Sequence, residues 1–166
     1  MKKYTIHKIE THDKPKLIEL FFEFGQYLAE LDKNAFNLLI VPDNYGERFY
    51  TRMIENVGKN NGIIYVLEID NCVVGFVAGV IFEVGNKEDE IDCKPHKMGR
   101  VIELFINQKY RRQGLGKKLM KKIFKYFKNQ NCYKVNIEVF APNQRAYCFY
   151  NKLGFQDRSY DLIKLL

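Results

Sequence analysis

The sequence predicts a mixed α/β domain built around a central sheet, and three observations carry that reading. Two apolar runs, 63–69 and 72–82, meet at the turn pair Asp70-Asn71, the pattern of a β-hairpin. The short run Val101 to Ile106 is nearly all apolar, as a buried central strand should be. Behind it, residues 114–130 place Leu115, Leu119, Ile123, Phe124 and Phe127 on one helical face, with lysines 117, 118, 121, 122, 125 and 128 covering the rest.

The other elements fall around these. Residues 3–9 alternate enough for an opening strand. Residues 14–31 space Leu17, Ile18, Leu20, Phe21, Phe24, Leu28 and Leu31 for a first helix. Pro42-Asp43-Asn44 breaks the chain, and 45–57 reads as a second helix. Residues 84–98, with Gly85-Asn86 and Pro95, read as a polar loop carrying Glu88, Asp89, Glu90 and Asp92. Tyr133 to Phe140 is a further strand. A short helix runs from Asn143 to about Lys152, and Gly154 closes it. Phe155 to Leu166 leaves room for a final hairpin. The expected order is βααββ-βαβαββ. At 166 residues and 19.7 kDa, without a repeat or linker, the chain reads as one domain over 1–166.

Composition excludes several classes. Apolar residues make up 46% and charged residues 28%, which is globular rather than disordered or collagenous. No apolar run approaches the ~20 residues of a membrane span, and the N-terminus has no signal-peptide core, so a cytoplasmic protein without a membrane partner is expected. The cysteines (72, 93, 132, 148) form no C-x-x-C pair, and His7, His12 and His96 are scattered. The expectation is therefore no metal. The net charge of +7 is split. Residues 1–98 carry 12 Lys and Arg against 16 Asp and Glu, a net of −4, whereas 99–166 carry 15 against 4, a net of +11. That asymmetry points to an anion held by the C-terminal half and away from general nucleic-acid binding.

The sharpest motif is Arg111-Arg112-Gln113-Gly114-Leu115-Gly116-Lys117, between an apolar strand and an amphipathic helix. Two glycines at a helix start let backbone approach a ligand. The free N–H groups there, with the positive dipole end, form an anion site that suits a pyrophosphate. The loop is not a Walker A sequence, since Lys118 follows Lys117 and no glycine stands five before Gly116. It is not a Rossmann fingerprint, since position 119 is Leu.

The second motif runs Asn143-Gln144-Arg145-Ala146-Tyr147-Cys148-Phe149-Tyr150-Asn151-Lys152-Leu153-Gly154-Phe155. With the glycine loop it resembles the GNAT superfamily of acyl-CoA-dependent N-acetyltransferases, whose R/Q-x-x-G-x-G/A loop precedes N-x-x-A-x-x-x-Y-x-K-x-G-F. The good match covers roughly 98–158. The resemblance implies a mostly antiparallel sheet, splayed between the fourth and fifth strands and flanked by helices. It implies an acceptor-side half (1–98), an acetyl-CoA half (99–166), and a homodimer. It further implies that Gln113, Gly114, Leu115, Gly116 and Lys117 bind the acetyl-CoA pyrophosphate through backbone amides, with Arg111 and Arg112 shaping and charging the loop. Leu104, Phe105 and Ile106 would offer main-chain hydrogen bonds to the pantetheine arm. Asn143 would touch the cofactor near that arm, and Tyr150 would sit by the thioester sulfur. Asn107 departs from a proline common in the family shortly after this strand.

The implied reaction is attack of a neutral amine on a thioester, with the small-molecule amine placed ahead of a protein or peptide amine as acceptor. A non-catalytic acyl-CoA-binding module on the same fold is the alternative. A lysine-like amine has a pKa of ~10.4, so neutralising it at pH 7 costs about 4–5 kcal/mol, and a general base is expected. Glu103 is the candidate, the only charge in its apolar strand; Glu138 on the neighbouring strand is the alternative. Tyr150 is the expected proton or hydrogen-bond donor to the leaving thiolate, while Tyr147 reads as packing. Phe21, Phe22 and Tyr27 either line the acceptor cleft or pack in the core. The acidic residues of 84–98 suit attraction of a cationic acceptor, or simply a solvated loop.

Overall fold

A computed structural model describes residues 3–33, 35–85 and 94–164. Its elements are β1 (Tyr4–Lys8), a 3-10 turn (Thr11–Asp13), α1 (Lys14–Lys33), α2 (Tyr45–Lys59), β2 (Ile63–Ile69), β3 (Cys72–Val84), β4 (His96–Ile106), α3 (Leu115–Asn129), β5 (Cys132–Ile137) and α4 (Gln144–Asn151). The five strands lie in sequence order in one sheet. Neighbours are antiparallel except β4 and β5, which run parallel. The expected mixed, mostly antiparallel sheet is therefore present.

Alternation along the strands decides what each face buries. On one face Phe76, Ala78 and Phe105 join Ile64 and Val66 against α1 and α2, where Leu17, Leu20, Phe21, Phe24 and Met53 are buried. On the other, Leu67, Val77 and Ile81 meet Leu119, Met120, Ile123 and Phe127 of α3. Aromatic rings dominate the first layer. Phe21 and Phe76 meet edge-on at 4.7 Å between centroids, and Phe24 packs on Phe105 at 5.4 Å. The hairpin turn sits at Asp70 and Asn71 with φ of 51° and 61°, the left-handed pair that a two-residue turn of this hand requires.

Two features open the sheet where the site will lie. The β3–β4 register steps from Ala78↔Glu103 to Gly79↔Val101, so Ile102 is an extra residue, a β-bulge. The β4–β5 pairing ends at Val101↔Ile137, immediately before that bulge. Beyond it the two strands part, as expected for a sheet splayed at this point, and the outer edge of 102–106 has no strand partner among the described residues.

Three sequence expectations need correction. Strand β4 begins at His96, inside the stretch read as loop. His96 and Lys97 are polar and follow Pro95, so no apolar pattern marked the strand, which the ladder to Glu83 and Val84 nevertheless recruits. Strand β5 stops at Ile137 instead of Phe140 because its partner has curved away. The closing hairpin after Gly154 is not formed among the described residues. Phe155 anchors on Phe124 and Tyr150, after which the chain runs irregularly to residue 164 with Tyr160 and Leu162 exposed. The acidic residues 88, 89, 90 and 92, with Cys93, lie outside the described residues. Among the described residues, no helix is long and apolar enough to cross a membrane.

Candidate active site

Two cavities flank the splayed end of β4. One, of about 690 Å³, lies on the α1/α2 side and is lined by Phe24, Phe49, Met53, Glu103 and Glu138 among others. The second, of about 530 Å³, runs along Leu104, Phe105 and Ile106 to the glycine loop and α4. Five residues line both: Phe24, Leu104, Asn143, Ala146 and Tyr150.

The glycine loop leaves backbone donors free at a helix start. Gly114 caps α3 at a φ of +74°, a left-handed conformation that costs other residues. The first backbone bond into the helix is Lys118 N–H to the Gly114 carbonyl, at 3.3 Å. No described group accepts from the N–H groups of Gln113 to Lys117, so they remain available at the positive end of a four-turn helix. Gly116 is small for a different reason: a Cβ there would lie 3.2 Å from the Phe149 ring, so the glycine sets how closely α3 meets α4. Lys117 lines the cavity, whereas Lys118 turns away, its Nζ 3.7 Å from the centre of the Tyr4 ring.

Arg111 and Arg112 differ. Arg111 Nε donates to the Ile106 carbonyl at 2.7 Å, and its guanidinium lies over the rings of Tyr27 (4.4 Å) and Phe105 (5.2 Å). Burial, with the charge of Arg145 adding to it, pushes its ionisation downward against opposing contributions from Tyr27. Arg111 therefore ties the loop to the end of β4 and to α1. Arg112, at a φ of 63°, lines the cavity mouth. Asn107 completes the bracing: its Nδ2 donates to Glu23 of α1 at 2.6 Å.

Asn143 is the N-cap of α4. Its Oδ1 accepts from the Ala146 N–H at 3.1 Å and from the Tyr27 hydroxyl at 3.2 Å. That leaves its amide nitrogen directed to neither partner. Tyr150, 7% exposed, packs between Phe149 and Phe155, and its hydroxyl has no protein partner among the described residues. Burial, and then the charge of Glu103, push its ionisation well above the usual phenol value, so Tyr150 stays protonated.

Glu103 is placed by the bulge at the floor of the larger cavity, with no hydrogen bond or ion pair to a described residue. Burial, reinforced by the nearby charge of Glu138, raises its carboxyl to about 8. The charge of Glu103 is felt in turn by Tyr45, whose ionisation is raised chiefly by burial. Glu138 is a poorer base candidate: its side chain is 80% exposed and paired with Arg100. Of the first-helix aromatics, Phe21 is core, while Phe24 and Tyr27 line the cavities. Sequence reasoning assigned no site role to Phe24, Ala146 or Phe149, which line the cavities. Phe24 is marked by its helical spacing only as a packed position, and nothing local shows that these three border a cleft.

The family model described as "Acetyltransferase (GNAT) family" matches residues 19–155. An N-alpha-acetyltransferase of Sulfurisphaera tokodaii is 31% identical over 122 residues, which is 73% of this chain and 71% of that one. Glucosamine 6-phosphate N-acetyltransferase of Arabidopsis thaliana is 24% identical over 161 residues, 97% of this chain and 95% of that one. A crystal structure of a tetramutant of a Bacillus halodurans protein superposes with a TM-score of 0.80 over 98% of this chain and 99% of that one, at 16% identity.

Proposed function

The chain belongs to the acetyltransferase (GNAT) family and is an acyltransferase, and from that premise we propose that it moves an acetyl group from acetyl-CoA to a primary amine by direct attack within a ternary complex. The observation that carries the reading is the pair Glu103 and Tyr150. One lies on the floor of one cavity, the other on the wall shared by both, and burial leaves Glu103 able to accept a proton and Tyr150 able to donate a hydrogen bond.

The residues of the smaller cavity suit acetyl-CoA. Unpaired N–H groups from Gln113 to Lys117 and the cations Arg112 and Lys117 match a pyrophosphate. The unpaired edge at Leu104 to Ile106 matches an extended amide-bearing arm, with the Ile106 carbonyl shared with Arg111. Bound there, acetyl-CoA supplies the activated acetyl thioester. In this division residues 99–166 furnish most of the acetyl-CoA side, and α1, α2 and Glu103 furnish the acceptor side.

Glu103 takes the proton that the acceptor ammonium must lose before its nitrogen can attack. As the carbon–sulfur bond breaks, the Tyr150 hydroxyl hydrogen-bonds the departing sulfur. Full transfer from so weak an acid to a thiolate of pKa ~8.5 is uphill, so the hydrogen bond is its main contribution.

Glu103 also bears on the acceptor. Burial raises its carboxyl above the ordinary range, which brings it closer to a peptide α-ammonium, pKa ~7.7–8.0, than to a lysine ammonium at ~10.4. The apolar wall of Phe24, Leu28, Phe49 and Met53 suits the first side chain of a peptide. With the N-alpha-acetyltransferase relative, these features favour a protein or peptide N-terminus. A small-molecule amine is the second reading, favoured by the Arabidopsis relative. The test is thiol release from acetyl-CoA with separate pools of peptides with free N-termini, N-blocked lysine peptides, amino sugars and their phosphates, and polyamines. Release confined to free N-termini supports the first reading. Release with a small-molecule pool alone replaces it by the second, and acetyl-CoA that neither reacts nor raises the melting temperature overturns both.

A further inference from the structure

On the opposite edge of the sheet from the cleft, two histidines and two carboxylates converge. His7 comes from β1, His12 and Asp13 from the 3-10 turn, and Glu68 from β2. One potential ligand atom from each lies within 4.8 Å of all the others. His7 Nε2 is 3.2 Å from Asp13 Oδ2, and His12 Nε2 is 3.6 Å from Asp13 Oδ1. The two imidazoles are stacked with centroids 6.2 Å apart. None of the four residues lines either cavity.

We propose that His7, His12, Asp13 and Glu68 form a site for a divalent transition metal of the zinc type. Zinc takes imidazole nitrogen and carboxylate oxygen at ~2.0–2.2 Å, which sets the ligand atoms of a tetrahedron about 3.4 Å apart. The contacts to Asp13 are already near that spacing. The remaining closure falls on His12, which is exposed, and on Glu68, 3.9 Å from His7 Nδ1. Two imidazoles in the set favour zinc or a neighbouring transition ion over magnesium or calcium.

Charge supports the same assignment. The Asp13 side chain is fully buried, and Glu10 and Glu68 stand close by. No lysine or arginine pairs with any of these three carboxylates among the described residues. The cluster thus gathers three carboxylates, one of them buried, without a lysine or arginine partner, an arrangement that favours a compensating cation. Outer partners are in place as well. The Glu10 N–H donates to Asp13 Oδ2 at 2.7 Å, and the Glu10 carboxylate lies 3.5 Å from His12 Nδ1, suited to fixing that ring with Nε2 toward the metal. The metal would staple the edge strand β1 to the start of α1, the helix that carries Phe24 and Tyr27 to the cleft.

The test is calorimetric titration of zinc chloride into chelator-treated full-length chain, with cobalt(II) absorption as a coordination readout. One zinc per chain is expected, with a tetrahedral cobalt spectrum. At a hundredfold excess over Kd the melting temperature should rise by roughly 5–10 °C. His12→Ala, at an exposed position, and Glu68→Gln should each weaken binding by roughly tenfold or more and reduce that rise. Replacing the exposed thiols, Cys72→Ser with Cys148→Ser, should leave it intact. Absence of saturable binding, binding indifferent to both site variants, or binding lost with the cysteines would overturn the proposal.

Discussion

The substitution Glu103→Gln should make the protein more stable and much less active. The shape of the side chain is kept and its ionisation removed. In the folded chain the carboxyl ionises near 8, against an ordinary 4.5. Between those values the native state holds a proton that the unfolded chain has released, so wild-type stability falls as pH rises through that window. The full interval from 4.5 to about 8 corresponds to about 5 kcal/mol by pH 9, and the part of it below pH 7 to about 3 kcal/mol. The amide of the variant does not titrate, and every other group is common to both proteins, so the difference between their stability curves isolates this carboxyl. Thermal melts by circular dichroism from pH 4.5 to 9 should start nearly superposed. At pH 7 the variant should melt higher by roughly 7–14 °C. Its kcat/KM should be lower by roughly 10²–10⁴, and the wild-type rise in kcat/KM through pH 8 should vanish. A stability difference that does not grow with pH would refute the reasoning.

Tyr150→Phe should reduce turnover by roughly a hundredfold with little change in acetyl-CoA affinity or melting temperature, because its hydroxyl has no protein partner among the described residues; steady-state kinetics and a thermal melt read both. Gly114→Ala meets no steric obstacle, so its cost is the left-handed backbone, about 1–2 kcal/mol; urea denaturation should show that loss, and calorimetry should show weaker acetyl-CoA binding. Asp32→Ala leaves the N–H groups of Leu38 and Leu39 without the carboxylate that accepts from both, at 2.5 and 2.7 Å. It should cost about 2–4 kcal/mol, seen as a lower urea midpoint.

Legibility in the sequence followed how local each signal was. Helix α3 and the glycine loop were visible because period, glycines and charge sit in one stretch. Glu103 stood out as a lone charge in an apolar strand, but its environment depends on a bulge and a strand parting that no local pattern marks. The sequence marks Arg111 as loop charge, and its contact with Tyr27 depends on α1 arriving from the other half of the chain. The histidines looked scattered because their convergence needs a strand, a tight turn and Glu68 from the next strand. The closing hairpin is expected from the space left for it, but after Phe155 the chain opens on four polar residues, 156–159, and Tyr160, Leu162 and Ile163 stay exposed instead of docking.

The five residues common to both cavities have a thermodynamic consequence. Phe24, Leu104, Asn143, Ala146 and Tyr150 border both compartments, so an occupant of one touches the wall that the other shares. The two equilibria are then linked. Whatever factor the first ligand contributes to the affinity of the second, the second returns to the first. On the proposed assignment, a substitution of Phe24 or Leu104 made to change acceptor preference should therefore also register in acetyl-CoA affinity.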